Sequence, residues 1–162
     1  MTGGEEPPAS LKLSGIDDRI SPVDSSRRRV ECWFQTRVYY EDTDAAGIVY
    51  YANYLRFMER ARTEWLRELG FEIDQLAACN QLLFAVRSAH VDYHHPCRLN
   101  DRLRVGVSVE RARGASLDLW QPVLRGDTAV VTARVRLVCL EAATFKLRPL
   151  PRPLREVLTL KA

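Results

Sequence analysis

The sequence predicts an α+β fold, with one long helix lying against a curled antiparallel β-sheet. Two patterns carry that prediction. The segment NYLRFMERARTEWLRELG, residues 53–70, repeats apolar residues at helical spacing. After Gln81 the period changes, and four strand-like segments follow, two of them cleanly alternating, with short connections that contain Gly at 110–114 and 125–127. A helix with one apolar stripe cannot stay solvated on that face, so a sheet has to cover it.

Taken in order, residues 1–29 contain TGGEEPPAS and SPVDSSRRR, rich in Gly, Pro, Ser and mixed charge. This composition predicts a flexible leader, with the Arg27-Arg28-Arg29 run as its solvated end. Order begins near Cys32, where CWFQTRVYY reads as a strand. A loop follows, and then the long helix. Tyr54, Phe57, Met58, Ala61, Trp65 and Leu69 form its stripe, charged residues occupy the remainder, and Gly70 is a natural C-terminal stop. IDQLAACN reads as a short second helix ended by Asn80. The strands then read LLFAVRSAHVDY, RLRVGVSVE, ASLDLWQPVL and TAVVTARVRLVCL. Pro122 argues for an edge or a bulge in the third of them. The connections at 110–114 and 125–127 predict antiparallel hairpins. LRPLPRPL leaves the sheet. The expected organisation is a leader over 1–29, one domain over 30–150 and a tail over 151–162.

The 162 residues are enough for a single domain with a real core. A net charge of +3, with no basic stripe along the chain, argues against nucleic acid as a partner. Cys32, Cys79, Cys97 and Cys139 form no CxxC pair and read as reduced thiols. The sequence has neither an apolar signal core nor a run of about 18 apolar residues, so a cytoplasmic protein without a membrane span is expected.

The stretch EDTDAAGIVYYAN, residues 41–53, is the candidate site. It places Glu41, Asp42 and Asp44 in front of a helix start. Asp and Thr are ordinary turn and cap residues, and Asn53 is a good N-cap. The same pattern also has chemistry in it. Orphan N–H groups at a helix start hold an oxyanion or a polarised carbonyl, and a nearby carboxylate acts as nucleophile or as general base toward water. Small Ala45, Ala46 and Gly47 let a substrate approach the backbone, and Val49, Tyr50 and Tyr51 supply walls. His94 and His95 lack a third ligand at metal spacing, and His90 reads as a sheet-face residue. Ser116 lacks a visible base. Glu59 and Glu64 on the long helix read as ion-pair partners.

RVYYEDTDAAGIVYYANYLRFMERARTEWLRELG resembles the signature of the 4-hydroxybenzoyl-CoA thioesterase family of hotdog proteins. It is most similar to the YbgC-type acyl-CoA thioesterases associated with the Tol-Pal system. PCRLNDRLRV, RARGASL and RVRLVCL fit the same pattern, and the resemblance covers residues 32–150. It implies a hotdog fold, a central helix wrapped by the sheet, and hydrolysis of an acyl thioester to a free acid and CoA. The family's catalytic aspartate falls on Asp44, as nucleophile or general base. Its carbonyl-polarising backbone N–H falls on Tyr51, in the first turn of the long helix. Tyr40 matches a tyrosine that helps around the site. Some YbgC-type proteins carry His where this chain has Tyr51, and any route through that imidazole is closed here. The catalytic glutamate that other hotdog branches carry on the central helix corresponds to Glu59 or Glu64 as a minor alternative.

Tyr50, Phe57 and Phe84 are candidate acyl-pocket residues, with Gly47 beside the substrate. Arg111, Arg113, Lys146 and Arg148 are the candidates for the CoA phosphates, and Ser116 for the CoA channel. The resemblance further implies no metal or redox cofactor, a homodimer or homotetramer joined along sheet edges, and an active site at the subunit junction. An acyl-carrier-protein thioester is the alternative substrate, since both carry phosphopantetheine. A non-catalytic hotdog scaffold is the alternative of another class, and a hotdog hydratase lacks its usual Asp and His pairing in this sequence.

Overall fold

The computed structural model describes residues 30–161, and the expected leader lies outside them. Strand β1 (Cys32–Arg37) leads through a 3-10 turn (Tyr40–Asp42) and a loop into helix α1 (Asn53–Glu68). Helix α2 (Ile73–Asn80) precedes strands β2 (Leu82–Tyr93), β3 (Arg102–Arg113), β4 (Ser116–Arg125) and β5 (Thr128–Glu141), and α3 (Arg152–Lys161) follows. The five strands form one sheet in the order β1-β3-β4-β5-β2, antiparallel throughout. This is the α+β architecture the periodicities predict.

Helix α1 is the centre of the core. Tyr54, Phe57, Met58, Ala61, Trp65 and Leu66 are buried along one face, and Leu69 packs partly buried beside them. They meet the inner rows of the sheet, including Leu103, Val105 and Val107 of β3 and Val131, Val135 and Leu137 of β5. Burying each large side chain contributes about 1.5–3 kcal/mol. Gly70, at φ +87°, ends the helix as expected. Its N–H donates to the Arg67 carbonyl and that of Phe71 to the Leu66 carbonyl, the paired bonds of a Schellman cap.

Two polar side chains also enter this interface. Arg62 is buried and donates from Nη1 to Gln121 Oε1 at 2.8 Å, and Gln121 Nε2 donates to the Met58 carbonyl at 3.0 Å. Sheet and helix are therefore pinned at one point as well as packed. Desolvation pushes the Arg62 guanidinium down, opposed by the charge of Glu59.

Three expectations change. β1 ends at Arg37 rather than Tyr40, because Val38 turns into the core and Tyr40–Asp42 form a 3-10 turn. Pro122 does not mark an edge, since β4 is a central strand between β3 and β5. A register irregularity does fall beside it, between Val123 and Leu124 in the pairing with β5, so of the two expectations the bulge fits and the edge does not. The segment after residue 150 is helical, and Leu154 and Leu158 join the core, so its prolines start a helix instead of dispersing a tail.

Pro122 also explains Gly106. A β-carbon built on Gly106 would lie 2.9 Å from Pro122 Cγ, and 3.0 Å from both Pro122 Cδ and Val30 Cγ1. Gly106→Ala is expected to lower unfolding free energy by about 1–3 kcal/mol, the usual cost of overpacking. In Pro122→Ala the same change should cost clearly less, a coupling that urea denaturation of the two single variants and the double variant measures.

Candidate active site

The loop between β1 and α1 is a small hydrogen-bonded unit. Thr43 and Val49 form an antiparallel bridge, with Asp44 to Gly47 turning between them. The Asp44 N–H donates to Ile48 O, and the Gly47 N–H to Asp44 O. Gly47 takes φ +72°, which a side chain would resist. The loop rests on the chain after β2, where Val49 N–H donates to Cys97 O at 2.8 Å and Ile48 bridges Arg98. Burial of the Tyr54 phenol, and its hydrogen bond to Cys97, push it far above the ordinary tyrosine range.

Asp42 and Asp44 differ in kind. Asp42 is buried, and its Oδ2 accepts from the Tyr39 N–H at 2.8 Å. Its backbone carbonyl accepts twice, from the Tyr50 N–H and from Asn53 Nδ2, both at 2.9 Å. Asp42 thus ties the loop to the helix start. Asp44 is exposed, and its Oδ1 accepts from the Ala46 N–H at 2.8 Å. Its other oxygen accepts no hydrogen bond among the described residues, so one oxygen is anchored and one is open.

The helix starts later than the resemblance implied. Asn53 is its first residue and Ala52 its cap, so Tyr51 stands in the turn before it. Asn53 is not an N-cap, because it is itself the first helical residue, and its Nδ2 donates to the Asp42 carbonyl instead. Among the described residues the N–H groups of Tyr51 and Ala52 donate to no acceptor. They are orphan donors seven and eight residues after the open carboxylate. The peptide carbonyls on either side of Tyr51 are held, Tyr50 O by the Asn53 N–H at 2.8 Å and Tyr51 O by the Tyr93 hydroxyl at 3.1 Å.

Aromatic rings surround this point. Tyr50 and Tyr51 lie 4.7 Å apart between centroids, and Tyr93 sits edge-on to both Tyr51 and Tyr54. A hydrogen bond to the Tyr51 hydroxyl pushes the Tyr50 phenol up, and the Asp44 charge adds a smaller push. Tyr50 at 43%, Tyr51 at 61% and Tyr93 at 47% exposure leave the cluster open on one side.

Other candidates lie elsewhere. Phe57 is core and Phe84 packs against it. Tyr40 is 83% exposed, and its carbonyl accepts from the Thr43 N–H and hydroxyl. Ser116 donates to Arg113 O in the β3–β4 turn. Arg148 donates to Asn80 O and Gln81 O, capping α2 at the left-handed Gln81. Lys146 and Arg148 line a cleft of about 520 Å³ with Cys79 and Gln81. The row of Ser116 pairs with Val138 and that of Tyr93 with Val131. At about 3.3 Å per residue the basic candidates stand about 23 Å from the tyrosines along β5, at the opposite end of the sheet. His94 bonds Thr132 Oγ1, and no group of three or more metal-ligating side chains is present among the described residues. Glu64 pairs with Arg67, and Glu59 accepts from Thr63.

Comparison with known proteins places these features. Residues 38–158 match the model of the thioesterase-like superfamily. The YbgC acyl-CoA thioesterase of Haemophilus influenzae is 39% identical over 122 residues, 75% of this chain and 90% of that protein. The YbgC acyl-CoA thioester hydrolase of Escherichia coli O157:H7 is 42% identical over 117 residues, covering 72% and 87%. A solved structure of a probable thioesterase from Bartonella henselae superposes with a TM-score of 0.71 at 37% identity, covering 74% of this chain and 98% of that one. The hotdog resemblance is therefore borne out. Among the described residues no helix is long and apolar enough to cross a membrane.

Removing the clamp tests the local account. Asn53→Ala is expected to lower stability by about 0.5–1.5 kcal/mol. Amide hydrogen exchange at Tyr50 should accelerate, while exchange across the β4–β5 ladder stays unchanged.

Proposed function

The chain belongs to the thioesterase-like superfamily, and on that premise we propose that it hydrolyses an acyl-CoA thioester to a free acid and CoA. The observation that carries this reading is that one loop holds both an open Asp44 oxygen and, in the turn before α1, two unsatisfied N–H groups. A thioester carbonyl set between them meets a base or nucleophile on one side and donors on the other.

As general base, Asp44 takes a proton from water as the water oxygen bonds to the acyl carbon. The carbonyl oxygen gathers the negative charge, and the N–H of Tyr51, with that of Ala52, stabilises it. Collapse breaks the carbon–sulfur bond and releases the CoA thiolate, which the protonated Asp44 can neutralise. As nucleophile, Asp44 bonds to the carbon itself and the carbon–sulfur bond breaks, releasing the CoA thiolate and leaving a mixed anhydride. Water then cleaves the anhydride to the free acid and the Asp44 carboxyl group, whose proton goes to the thiolate. Neither route calls on a metal or a redox cofactor. Gly47 leaves room at the turn, Tyr50 walls the acyl group, and Tyr40 stands on the solvent side. The name of the Haemophilus influenzae relative supports acyl-CoA as substrate, in the cytoplasm where acyl-CoA is made and used.

The reading includes a homodimer, alone or paired into a tetramer. β2 is a 12-residue edge strand with most of its residues exposed. Two β2 edges pairing antiparallel about a two-fold axis would bring the far end of one sheet beside the tyrosines of the other. Arg111, Arg113, Ser116, Lys146 and Arg148 of one protomer would then meet the CoA of the neighbouring site. Arg offers bidentate phosphate contacts there.

Thiol release from short, long and aromatic acyl-CoAs tests the chemistry. Wild type should turn over at least one of them, and Asp44→Asn should lose about 100-fold or more in kcat. Equal activity of the two would move the site off Asp44. Light scattering is expected to give at least twice the 18.5 kDa chain mass, and a monomer would overturn the shared-site reading.

A further inference from the structure

Tyr93 is the last residue of β2, and nothing in the loop sequence points to it. Its hydroxyl donates to the Tyr51 carbonyl at 3.1 Å, reaching across from the sheet to the turn that precedes α1. That carbonyl has no other donor among the described residues. The first bond of the helix start runs from the Leu55 N–H to Ala52 O, one residue further on, so the helix itself does not hold Tyr51 O. The opposite side of the residue is fixed by Asn53 N–H on Tyr50 O. That bond fixes the Tyr50–Tyr51 peptide and with it the Tyr51 N–H; without the phenol, the Tyr51–Ala52 peptide is free to rotate, and the orphan Ala52 N–H turns with it.

We propose that Tyr93 is a positioning residue, whose hydroxyl on the Tyr51 carbonyl holds the orphan N–H of Ala52 aimed at the substrate carbonyl, beside the Tyr51 N–H that Asn53 fixes through Tyr50 O. This rests on the thioesterase reading above. The ring is placed independently of the hydroxyl, by its β5 partner Val131 and by edge contacts with Tyr51 and Tyr54. Partial burial pushes the phenol up, so it remains a donor through neutral pH. Misplacing an electrostatic donor affects the transition state more than substrate binding, since the developing oxyanion needs it most.

Tyr93→Phe keeps the ring and removes only the donor. Its kcat on the acyl-CoA that wild type prefers should fall about tenfold, with KM changed less than twofold. The melting temperature should stay close to wild type, and the backbone 15N order parameter should drop at Ala52, with Tyr51 little changed. An unchanged kcat overturns the proposal, as does a loss matched by a general drop in stability. If wild type proves inactive on every thioester, the thioesterase reading fails by itself. The order parameters then still decide whether Tyr93 holds this turn, and unchanged values in Tyr93→Phe would overturn that.

Discussion

The apolar stripe of α1 can be buried only on the concave side of the sheet, and most of the molecule follows from that one burial. Trp65, Phe57 and Met58 are large and almost wholly enclosed, so the sheet curves around them instead of lying flat. The helix axis is set by this packing. Its N-terminal end consequently emerges at the rim, beside the last residues of β2, where side chains from the sheet can reach it. Hydrophobic contacts alone leave a helix some freedom to rotate about its axis. The Arg62–Gln121–Met58 contact reduces that freedom, because a buried guanidinium and amide satisfy each other in few orientations. The outlook of the helix start is thus fixed from the middle of the helix.

A second constraint acts locally. Asp42 lies in the loop, yet its carbonyl accepts both the Tyr50 N–H and the Asn53 amide. This closes the chain from 42 to 53 into one unit, with Asp44 carried on its turn. The division of labour between the two aspartates follows from exposure. Buried Asp42 is committed to backbone donors, whereas exposed Asp44 keeps an oxygen open. On the proposed reading, the carboxylate that reacts is not the one that holds the loop together.

The element order was legible because it rests on period. The 3.6-residue stripe of α1 and the alternation in β3 and β5 persist over ten residues or more, and the glycines at 70, 114 and 126 take the positive φ that their turns need. Asp44 and Tyr51 stand out in the sequence as site candidates mainly through the resemblance, since an Asp in front of a helix suits a cap or turn equally well. Other features were hidden for physical reasons. Pro122 reads as an edge by local rules, and its tolerance in a central strand depends on Gly106 of the adjacent strand. The role of Asn53 depends on a carbonyl 11 residues away, and that of Tyr93 on one 42 residues away. The C-terminal helix is masked by its own prolines, and only burial of Leu154 and Leu158 explains why it forms there.

On the proposed reading, the openness of the site in one chain is answered by a second protomer. Donors aimed at an oxyanion act strongly where water is excluded, because the low dielectric magnifies them and no solvent competes. In one chain the tyrosines around Tyr51 are roughly half exposed and the turn at Asp44 faces solvent. The basic residues suited to the phosphates of CoA stand at the other end of the sheet. Both deficits have the same geometric remedy. β2 carries the site tyrosine at its last residue and begins beside the cleft lined by Lys146 and Arg148. An antiparallel partner along that edge reverses the strand, laying its beginning against this chain's end. The covering surface and the phosphate-binding charge would then arrive together, so on the proposed reading the unit of catalysis is the pair of sheets rather than the single fold.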